Sequence, residues 1–241
     1  MCLLIVVRRA GELWLGANRD ERLDRAWEPP ALLVPDPPVL GGRDTAAGGS
    51  WLAVNLRAPF VVAVTNARLG APPGERSRGH LVVDAAAERG LGEAVALVEE
   101  LDLQRYGPFN LLLADASHAF LATNWPSTRL ERVDEDLVAI GNDRLDDPGP
   151  RTRVAALHAR GLAGMDPAAL APALVCLLSD HGGADPFCRH SERYGTVCST
   201  LLRLGPAGVL AYRFAAGPPC TAPFLEVAVP RTAGTSPHLL Q

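Results

Sequence analysis

Residues 1–22 read MCLLIVVRRAGELWLGANRDER, and this segment carries the strongest structural signal in the chain. Two apolar runs, Leu3–Val7 and Leu13–Gly16, flank a short turn segment at Arg8–Gly11, a pattern that predicts a β-hairpin. If the two strands pair antiparallel, Asn18 lies at the same end of the hairpin as Cys2. The hairpin would then bring a thiol and several polar groups together at one edge of a sheet.

Cys2 is placed where it could act as an N-terminal nucleophile. Methionine aminopeptidases remove Met1 when the second side chain is small, which would leave Cys2 with a free α-amine beside its thiol. The α-amine has a pKa near ~7.7–8.0 and the thiol a pKa near ~8.5. Part of the amine is therefore unprotonated at neutral pH and can accept the thiol proton. The alternative is that Cys2 is a small apolar residue that opens the first strand.

The segment Asn18-Arg19-Asp20-Glu21 also has two interpretations. Four polar groups directly after a hydrophobic strand could hold a reacting centre near the start of the neighbouring strand. They could equally form a solvated turn with an Asx cap and an Arg–Asp ion pair. Composition alone favours the turn.

Three further segments carry polar groups at the ends of predicted elements. Thr65-Asn66 closes one strand and Gly141-Asn142-Asp143 closes another, and their amides could donate to a developing oxyanion. Asparagine is also a common turn former. Ser77-Arg78-Gly79 precedes a helix, where backbone amides and an arginine could bind an anion, or where the serine could simply cap the helix.

The cysteines and histidines do not form a recognisable zinc motif. Cys188 and His190 are separated by one residue, which is not the spacing of ordinary zinc pairs, and no second pair frames them with His181. Cys176 and Cys198 lie in apolar runs and are expected to be buried thiols. We therefore expect no metal. The chain also lacks the glycine motifs of α/β-hydrolases, P-loop NTPases and Rossmann proteins.

The composition is that of a globular protein that does not bind nucleic acid. The 241 residues carry a net charge of −4, whereas a nucleic-acid surface needs a concentrated basic face. All 23 basic residues are arginines, so no lysine can form a Schiff base with a substrate. The five cysteines form no disulfide framework, and the N-terminal run is apolar before it is basic, the reverse of a signal peptide. That run is also too short to cross a membrane, so we expect a cytoplasmic protein without a transmembrane segment.

The rest of the chain alternates between blocks of strand and helix patterns. Strands are predicted at Trp51–Leu56, Phe60–Thr65, Phe109–Ala114, Ala119–Thr123, Leu137–Ile140, Thr196–Leu204, Val209–Phe214 and Phe224–Val229. Helices are predicted at His80–Leu101 with a break at Gly90-Leu91-Gly92, at Thr152–Ala163 and at Pro167–Ser179. Irregular segments are expected at Pro29–Pro38, Gly70–Arg78 and His181–Glu192, with a frayed tail at Pro230–Gln241. This order is typical of an α+β protein with packed sheets and segregated helices, forming one domain over residues 1–241.

A series of short motifs, each present once, extends in order along nearly the whole chain. They are Cys2, Asn18-Arg19-Asp20-Glu21, Gly49-Ser50-Trp51-Leu52, Val64-Thr65-Asn66, Ser77-Arg78-Gly79, Phe109-Asn110-Leu111, Gly141-Asn142 and Tyr194-Gly195-Thr196. Together they resemble the NRDE family, which includes the animal transport-and-Golgi-organisation protein two and its bacterial relatives. The resemblance implies an N-terminal nucleophile hydrolase fold, a four-layer αββα sandwich in which two antiparallel sheets lie between helical layers.

Within that superfamily, the chain is most similar to the cysteine-dependent branch that cleaves bile-acid conjugates and penicillin V. The resemblance implies that Cys2 is the nucleophile, that Asp20 orients its α-amine and that Asn142 stabilises the oxyanion. Two positions depart from the patterns. Ala17 stands where the hydrolase branch carries an arginine, and Val197 stands where NRDE relatives usually carry an arginine after Tyr-Gly-Thr. NRDE members are also linked to intracellular haem trafficking and to the handling of acyl-CoA or lipids.

Two functions are therefore expected. The first is hydrolysis of a non-peptide C–N bond in a small acylated substrate, without a required cofactor. The second is a cytosolic carrier that binds haem or an acyl-CoA in the same cleft and does not hydrolyse it. The expected catalytic residues are Cys2, Asp20, Asn66 and Asn142. The residues expected to contact the substrate or ligand are Asn18, Arg19, Glu21, Trp51 and Arg78.

Overall fold

The computed structural model describes residues 2–68, 70–162, 164–183 and 185–230. Within these residues the chain forms two antiparallel sheets and four α-helices, joined by loops. The strands are β1 (Leu3–Arg9), β2 (Glu12–Arg22), β3 (Trp27–Pro35), β4 (Pro38–Asp44), β5 (Leu52–Asn55), β6 (Phe60–Asn66), β7 (Phe109–Ala114), β8 (Ala119–Thr123), β9 (Arg129–Val133), β10 (Leu137–Ile140), β11 (Tyr194–Gly205), β12 (Gly208–Ala215) and β13 (Leu225–Glu226). The helices are α1 (Arg78–Ala86), α2 (Leu91–Glu100), α3 (Pro150–Leu162) and α4 (Pro167–Ser179). The state of Met1, the predicted helix end at Ala163 and the predicted tail after Pro230 lie outside the described residues.

The predicted N-terminal hairpin is present, and its second strand is longer than predicted. The strands are joined by Ala10 and Gly11, which have φ values of 52° and 76°, as two-residue hairpin turns of type I′ require. β2 continues to Arg22 because its outer half pairs with β11, where Thr196 lies opposite Asp20. The prediction that Asn18–Glu21 follows the strand is therefore wrong, because this segment lies inside β2.

The sheets stack face to face, and each carries two helices on its outer side. The strand orders are β10-β1-β2-β11-β12-β13 and β3-β4-β5-β6-β7-β8-β9. Side chains such as Leu15 and Leu112 fill the core between the sheets. Ile5 and Leu174 belong to the core between the first sheet and the pair α3 and α4, and Leu81 belongs to the core between the second sheet and α1 with α2. This is the predicted αββα architecture.

Burial on both faces explains why the central strands read as continuous apolar runs. In β1, Leu4 and Val6 point into the core between the sheets, whereas Leu3, Ile5 and Val7 point toward α3 and α4. Since successive side chains alternate between faces, a strand covered on both sides needs an apolar residue at every position.

Four predicted features differ from the structure. Pro29–Pro38 was expected to lack regular pairing, yet most of it lies in the β3–β4 hairpin; β3 is an edge strand, where a missing proline N–H is tolerated. Strand β9 has no counterpart among the predictions, because its sequence is polar and largely exposed. The predicted strand Phe224–Val229 shrinks to Leu225–Glu226. Cys176 is exposed rather than buried, because α4 turns its leucine-bearing face to the sheet and Cys176 lies off that face.

Among the described residues, no helix combines the length and the apolar content that crossing a membrane requires.

Candidate active site

A cavity of about 500 Å³ opens between the two sheets at the outer end of β2. The first sheet contributes the start of the chain and β2, and the second contributes the ends of β4 and β6 and the beginning of α1. Seven of the sequence-predicted site residues line it: Cys2, Arg19, Asp20, Glu21, Trp51, Asn66 and Arg78. The other two, Asn18 and Asn142, are not among its lining residues.

Cys2 lies on the cavity wall, immediately before β1, and is partly exposed. Its neighbour Leu3 pairs with Asn18, so Cys2 comes beside the outer half of β2. Burial raises the pKa of the Cys2 thiol, while the Arg19 guanidinium and a hydrogen bond from the backbone of Asp20 act in the opposite direction. With its pKa raised, the thiol is protonated at neutral pH and needs a nearby base to become a nucleophile.

The carboxylate of Asp20 is fully buried and is held from two sides. Its Oδ1 accepts a hydrogen bond of 2.6 Å from Thr196 Oγ1. Its Oδ2 lies 2.7 Å from Nη1 of Arg151 and 3.8 Å from Nε of Arg189. Burial raises the pKa of Asp20, and the Arg151 guanidinium is the strongest influence that lowers it. These contacts fix the orientation of a carboxylate next to Cys2.

One wall of the cavity is built from paired charges over an aromatic ring. The guanidinium carbon of Arg19 lies 4.2 Å from the ring centroid of Trp51, and its Nη2 lies 3.2 Å from Oδ2 of Asp44. Asp44 also accepts Arg25 at 2.9 Å, and Arg25 is 3.6 Å from Glu21. Two arginines are thus balanced by two carboxylates, which leaves this wall without a net charge.

Arg78 supplies a cation that is not balanced in this way. Its Nη1 donates to the backbone carbonyl of Pro108 at 3.0 Å, and within the described residues no carboxylate lies within 4.0 Å of it. Burial lowers the pKa of Arg78, but a guanidinium stays charged in proteins. The remaining N–H groups of Arg78 are available to a carbonyl or anionic oxygen in the cavity.

Two glycine-containing segments set the position of Arg78. Ser77 caps α1, since its Oγ accepts a 3.2 Å hydrogen bond from the backbone N–H of Gly79. Gly79 packs directly on Gly49, where a Cβ atom would lie 2.1 Å from the carbonyl carbon of Gly79. Gly49 also has a φ of +79°, a conformation that favours glycine. The motifs around Gly49 and Arg78 are therefore two halves of one packed junction.

A second junction places Asn142 behind Asn66. The Nδ2 group of Asn142 donates to the backbone carbonyl of Asn66 at 2.6 Å. Thr65 Oγ1 donates to Gly141 at 2.6 Å, and Asn110 Nδ2 donates to Asp143 at 2.9 Å. The side chain of Asn66 lines the cavity and makes no hydrogen bond to the described residues. Asn66 is thus a lining residue whose side-chain amide has no partner among the described residues, whereas Asn142 holds the backbone of Asn66.

Asn18 lies on the helix-facing side of β2 and is fully engaged there. Its Nδ2 donates to the backbone carbonyls of Leu178 at 2.9 Å and Phe187 at 2.8 Å, and its Oδ1 accepts from Ser199 Oγ. These bonds tie the end of α4 and the following loop to the sheet. The structure thus gives Asn18 a positioning role and no contact with the cavity.

Sequence reasoning missed five charged residues of this region: Arg151 and Arg189, which contact Asp20, and Arg25, Asp44 and Arg76, which line the cavity. None belongs to a recognisable motif, and Arg151 meets Asp20 only because α3 packs on the first sheet. A partial signal was available in Tyr194-Gly195-Thr196, because Thr196 is the residue that pairs with Asp20 across β2 and β11.

The lining offers little to a metal or cofactor. Its carboxylates, Asp20, Glu21 and Asp44, each face an arginine. The described lining includes no histidine, and Cys2 is its one side chain of a type that ligates haem iron. What the site does assemble is a thiol, an anchored carboxylate, an amide donor and a guanidinium, which is a set suited to acyl transfer.

Comparisons with known proteins agree with this architecture. The solved structure of the Caenorhabditis elegans N-acylethanolamine-hydrolyzing acid amidase (NAAA) ortholog is similar with a TM-score of 0.55 and 14% sequence identity, over 86% of this chain and 93% of that chain. The likeness concerns the fold alone. A search of curated proteins finds no match. The family model described as Transport and Golgi organisation 2 matches residues 1–180. The chain therefore belongs to the Transport and Golgi organisation 2 family, as the motifs predict.

Proposed function

We propose that the chain, once Met1 is removed, is an N-terminal cysteine hydrolase that cleaves a non-peptide C–N bond in a small acylated substrate. The observation that carries the proposal is the position of Cys2, which lies on the wall of a cavity of about 500 Å³ beside the buried carboxylate of Asp20. Removal of Met1 would place an α-amine at the same point, so that nucleophile and base come from one residue.

The proposed reaction has two steps. The α-amine takes the proton of the Cys2 thiol, the sulfur attacks the acyl carbon, and the carbonyl oxygen becomes an oxyanion. The amide of Asn66 donates to that oxygen, with Asn142 holding the Asn66 backbone in place. The C–N bond then breaks, and the leaving nitrogen receives the proton from the α-ammonium group. Water hydrolyses the resulting thioester, which releases the acid and restores the thiol.

Asp20 acts in this scheme as the group that orients the α-amine. A buried carboxylate is costly unless it is paired, and the Arg151 contact at 2.7 Å stabilises its anionic form. The anion favours a positively charged α-ammonium next to it, which is the form that protonates the leaving group.

The substrate is expected to carry a polar or anionic group on one side of its acyl carbon. Arg78 presents N–H donors on one side of the cavity, and Trp51 provides an apolar surface on another. The charged wall of Arg19 and Arg25 is already balanced by Asp44 and Glu21, so Arg78 is the stronger candidate for the polar contact.

Intact-mass analysis followed by turnover assays tests the proposal. The native protein is expected to lack Met1 and to hydrolyse at least one member of a panel of N-acyl amides. Cys2→Ser should lower that turnover by at least about a hundredfold while stability stays unchanged, because the oxygen is a much weaker nucleophile. Cys176→Ser is the matched control, since Cys176 is exposed on α4, and it should retain full activity. Equal turnover in the two variants would refute the proposal.

A carrier of haem or acyl-CoA is the second candidate, and the availability of Arg78 supports it. Carboxylates of haem and phosphates of CoA would both accept charge-assisted hydrogen bonds from that guanidinium. Under this reading, Arg78→Ala should weaken binding about tenfold to a hundredfold, since such a bond contributes roughly 1.5–3 kcal/mol. Cys2→Ser should leave the affinity for acyl-CoA unchanged, and the control Arg213→Ala should leave the affinity for both ligands unchanged. Titrations of haem and of acyl-CoA against these variants separate the two functions.

A further inference from the structure

A second cluster of reactive side chains lies where three segments meet, behind Asp20 and outside the cavity. His181 follows α4, Cys188 and His190 lie in the loop before β11, and Cys220 lies in the loop after β12. The ligating atoms of His181, His190 and Cys220 all lie within 4.8 Å of one another. Cys188 Sγ is 3.5 Å from Nε2 of His190 and 3.6 Å from Sγ of Cys220, and His190 Nε2 is 3.2 Å from Sγ of Cys220.

We propose that His181, Cys188, His190 and Cys220 bind one zinc ion in a tetrahedral site. Structural zinc is bound by four such ligands with Zn–S near ~2.3 Å and Zn–N near ~2.0–2.1 Å. A tetrahedron with those bond lengths has S···S edges of about 3.8 Å and S···N edges of about 3.5 Å. The observed separations of 3.6 Å for S···S and of 3.5 and 3.2 Å for S···N match three of the six edges, and the donor atom of His181 lies within 4.8 Å of those of His190 and Cys220.

Hydrogen bonds outside the cluster hold its three segments in position. The backbone N–H of Cys188 donates to the carbonyl of Asp180 at 2.8 Å, which brings the two ends of the loop together. Ser179 Oγ donates to the carbonyl of Pro219 at 3.1 Å, which fixes the Cys220 loop against the end of α4. The donors therefore converge through the fold and not through flexible side chains alone, as a preformed metal site requires.

The charges of the proposed site balance. Two thiolates and two neutral imidazoles neutralise a divalent zinc ion, so the ion adds no net charge to a region in which Cys188 is buried. All four donors come after residue 180, where the match to the family model ends. Sequence spacing did not reveal the set because Cys188 and His190 lack the spacing of an ordinary zinc pair, and the fourth donor, Cys220, lies 30 residues beyond His190.

The ion would stabilise the back of the proposed active site. Arg189, between two of the ligands, donates its backbone N–H to Thr196 Oγ1 at 2.9 Å and lies 3.8 Å from Asp20. Thr196 in turn donates to Asp20. A zinc ion that fixes residues 188 and 190 would therefore fix two of the contacts that orient the Asp20 carboxylate. This role does not depend on whether the cavity hydrolyses or carries its ligand.

Metal analysis of the full chain, purified with a tag free of histidine and cysteine, tests the proposal. We expect about one zinc ion per chain in the wild type and in the control Cys176→Ser, and a loss of most of it in Cys188→Ser and in Cys220→Ser. Chelation of the wild-type metal should lower the thermal unfolding midpoint. Replacement by cobalt(II) should give a thiolate-to-cobalt charge-transfer band and the intense visible bands of tetrahedral cobalt.

Two outcomes would overturn the proposal. One is a wild-type protein that binds no more zinc than Cys188→Ser and gives no thiolate–cobalt band. The other is a Cys188–Cys220 disulfide found by mass spectrometry in protein alkylated at the moment of lysis, since those thiols would then be unavailable to a metal. If a cysteine variant fails to fold, the wild-type zinc content and the cobalt spectrum still decide the question.

Discussion

Asp20 illustrates how a single charge can be kept inside this protein. Its side chain has no exposed surface, and that of Arg151, 2.7 Å away, is 6% exposed. Taking both charges out of water is costly, so the pair itself adds little stability compared with apolar residues of the same size. Its importance lies in the cost of breaking it, because removal of Arg151 takes away the nearest cation that compensates the buried carboxylate. We infer that the pair is retained for the site and not for the stability of the fold.

Replacement of Arg151 by methionine tests this view of the pair. Arg151→Met keeps an unbranched apolar stem but leaves Asp20 without its nearest cation, so the free energy of unfolding should fall by about 3 kcal/mol. Arg153→Met is the matched control on the same helix, where the side chain is 61% exposed, and its effect should stay within about 0.5 kcal/mol. Urea denaturation of both variants measures the difference. Equal losses would show that the buried pair has no special cost.

The reactivity of the thiols distinguishes their environments. Cys198 is buried, and burial raises its pKa, so iodoacetamide should not label it in the native protein. Cys176 is exposed and should react at the rate of an ordinary thiol. Cys2 should react faster than Cys176 only in molecules that lack Met1, because only they have the α-amine as a base. Mass-mapped labelling rates provide the measurement, and a slow Cys2 in processed protein would remove the main support for a nucleophile.

At the scale of the elements, one close backbone contact positions the N-terminus of α1. Gly48 and Gly49 both have positive φ values, of 73° and 79°. The backbone N–H of Ser50 donates to the carbonyl of Gly79 at 3.0 Å. The approach of these two segments fixes where α1 begins and hence where Arg78 projects. Glycine is needed here for both the conformation and the space.

Two glycine-to-alanine substitutions test whether Gly49 is needed for its conformation and for space, compared with an unconstrained glycine. Gly49→Ala would place a Cβ atom 2.1 Å from the Gly79 carbonyl carbon, so we expect a loss of at least about 1 kcal/mol in the free energy of unfolding. Gly92→Ala, in α2, meets no atom within 4 Å and should be neutral or stabilising by up to about 1 kcal/mol. Thermal or chemical unfolding curves compare the two. A harmless Gly49→Ala would contradict the proposed junction.

For the molecule as a whole, the sequence predicts the layers better than the connections between them. Apolar runs and turn residues locate most strands and the helices, and the NRDE-like motifs indicate the αββα sandwich. The pairing of β1 with β10 and of β2 with β11 joins residues more than a hundred positions apart, and no local pattern encodes such contacts. For the same reason Arg151 escaped prediction, whereas Cys2 and Asp20, which share one hairpin, did not.

The layered architecture predicts an order of local stability. Amides in β6 and β7, which are central in their sheet and almost entirely buried, should exchange with deuterium most slowly. Amides in β3, an edge strand with mostly exposed side chains, should exchange much earlier, because local opening there exposes little apolar surface. Hydrogen exchange followed by mass spectrometry gives the comparison. Equal protection of β3 and β7 would contradict it.

The residues of the cavity are divided between two sheets, and this division affects how the ligand of such a protein can change during evolution. The proposed chemical groups, Cys2 and Asp20, belong to the first sheet and are supported by α3. The groups proposed to contact ligand, Trp51, Asn66 and Arg78, belong to the second sheet and α1. Proteins descended from one ancestor could therefore acquire a new ligand through substitutions in the second sheet and α1. The first sheet, which carries Cys2, would be inherited unaltered.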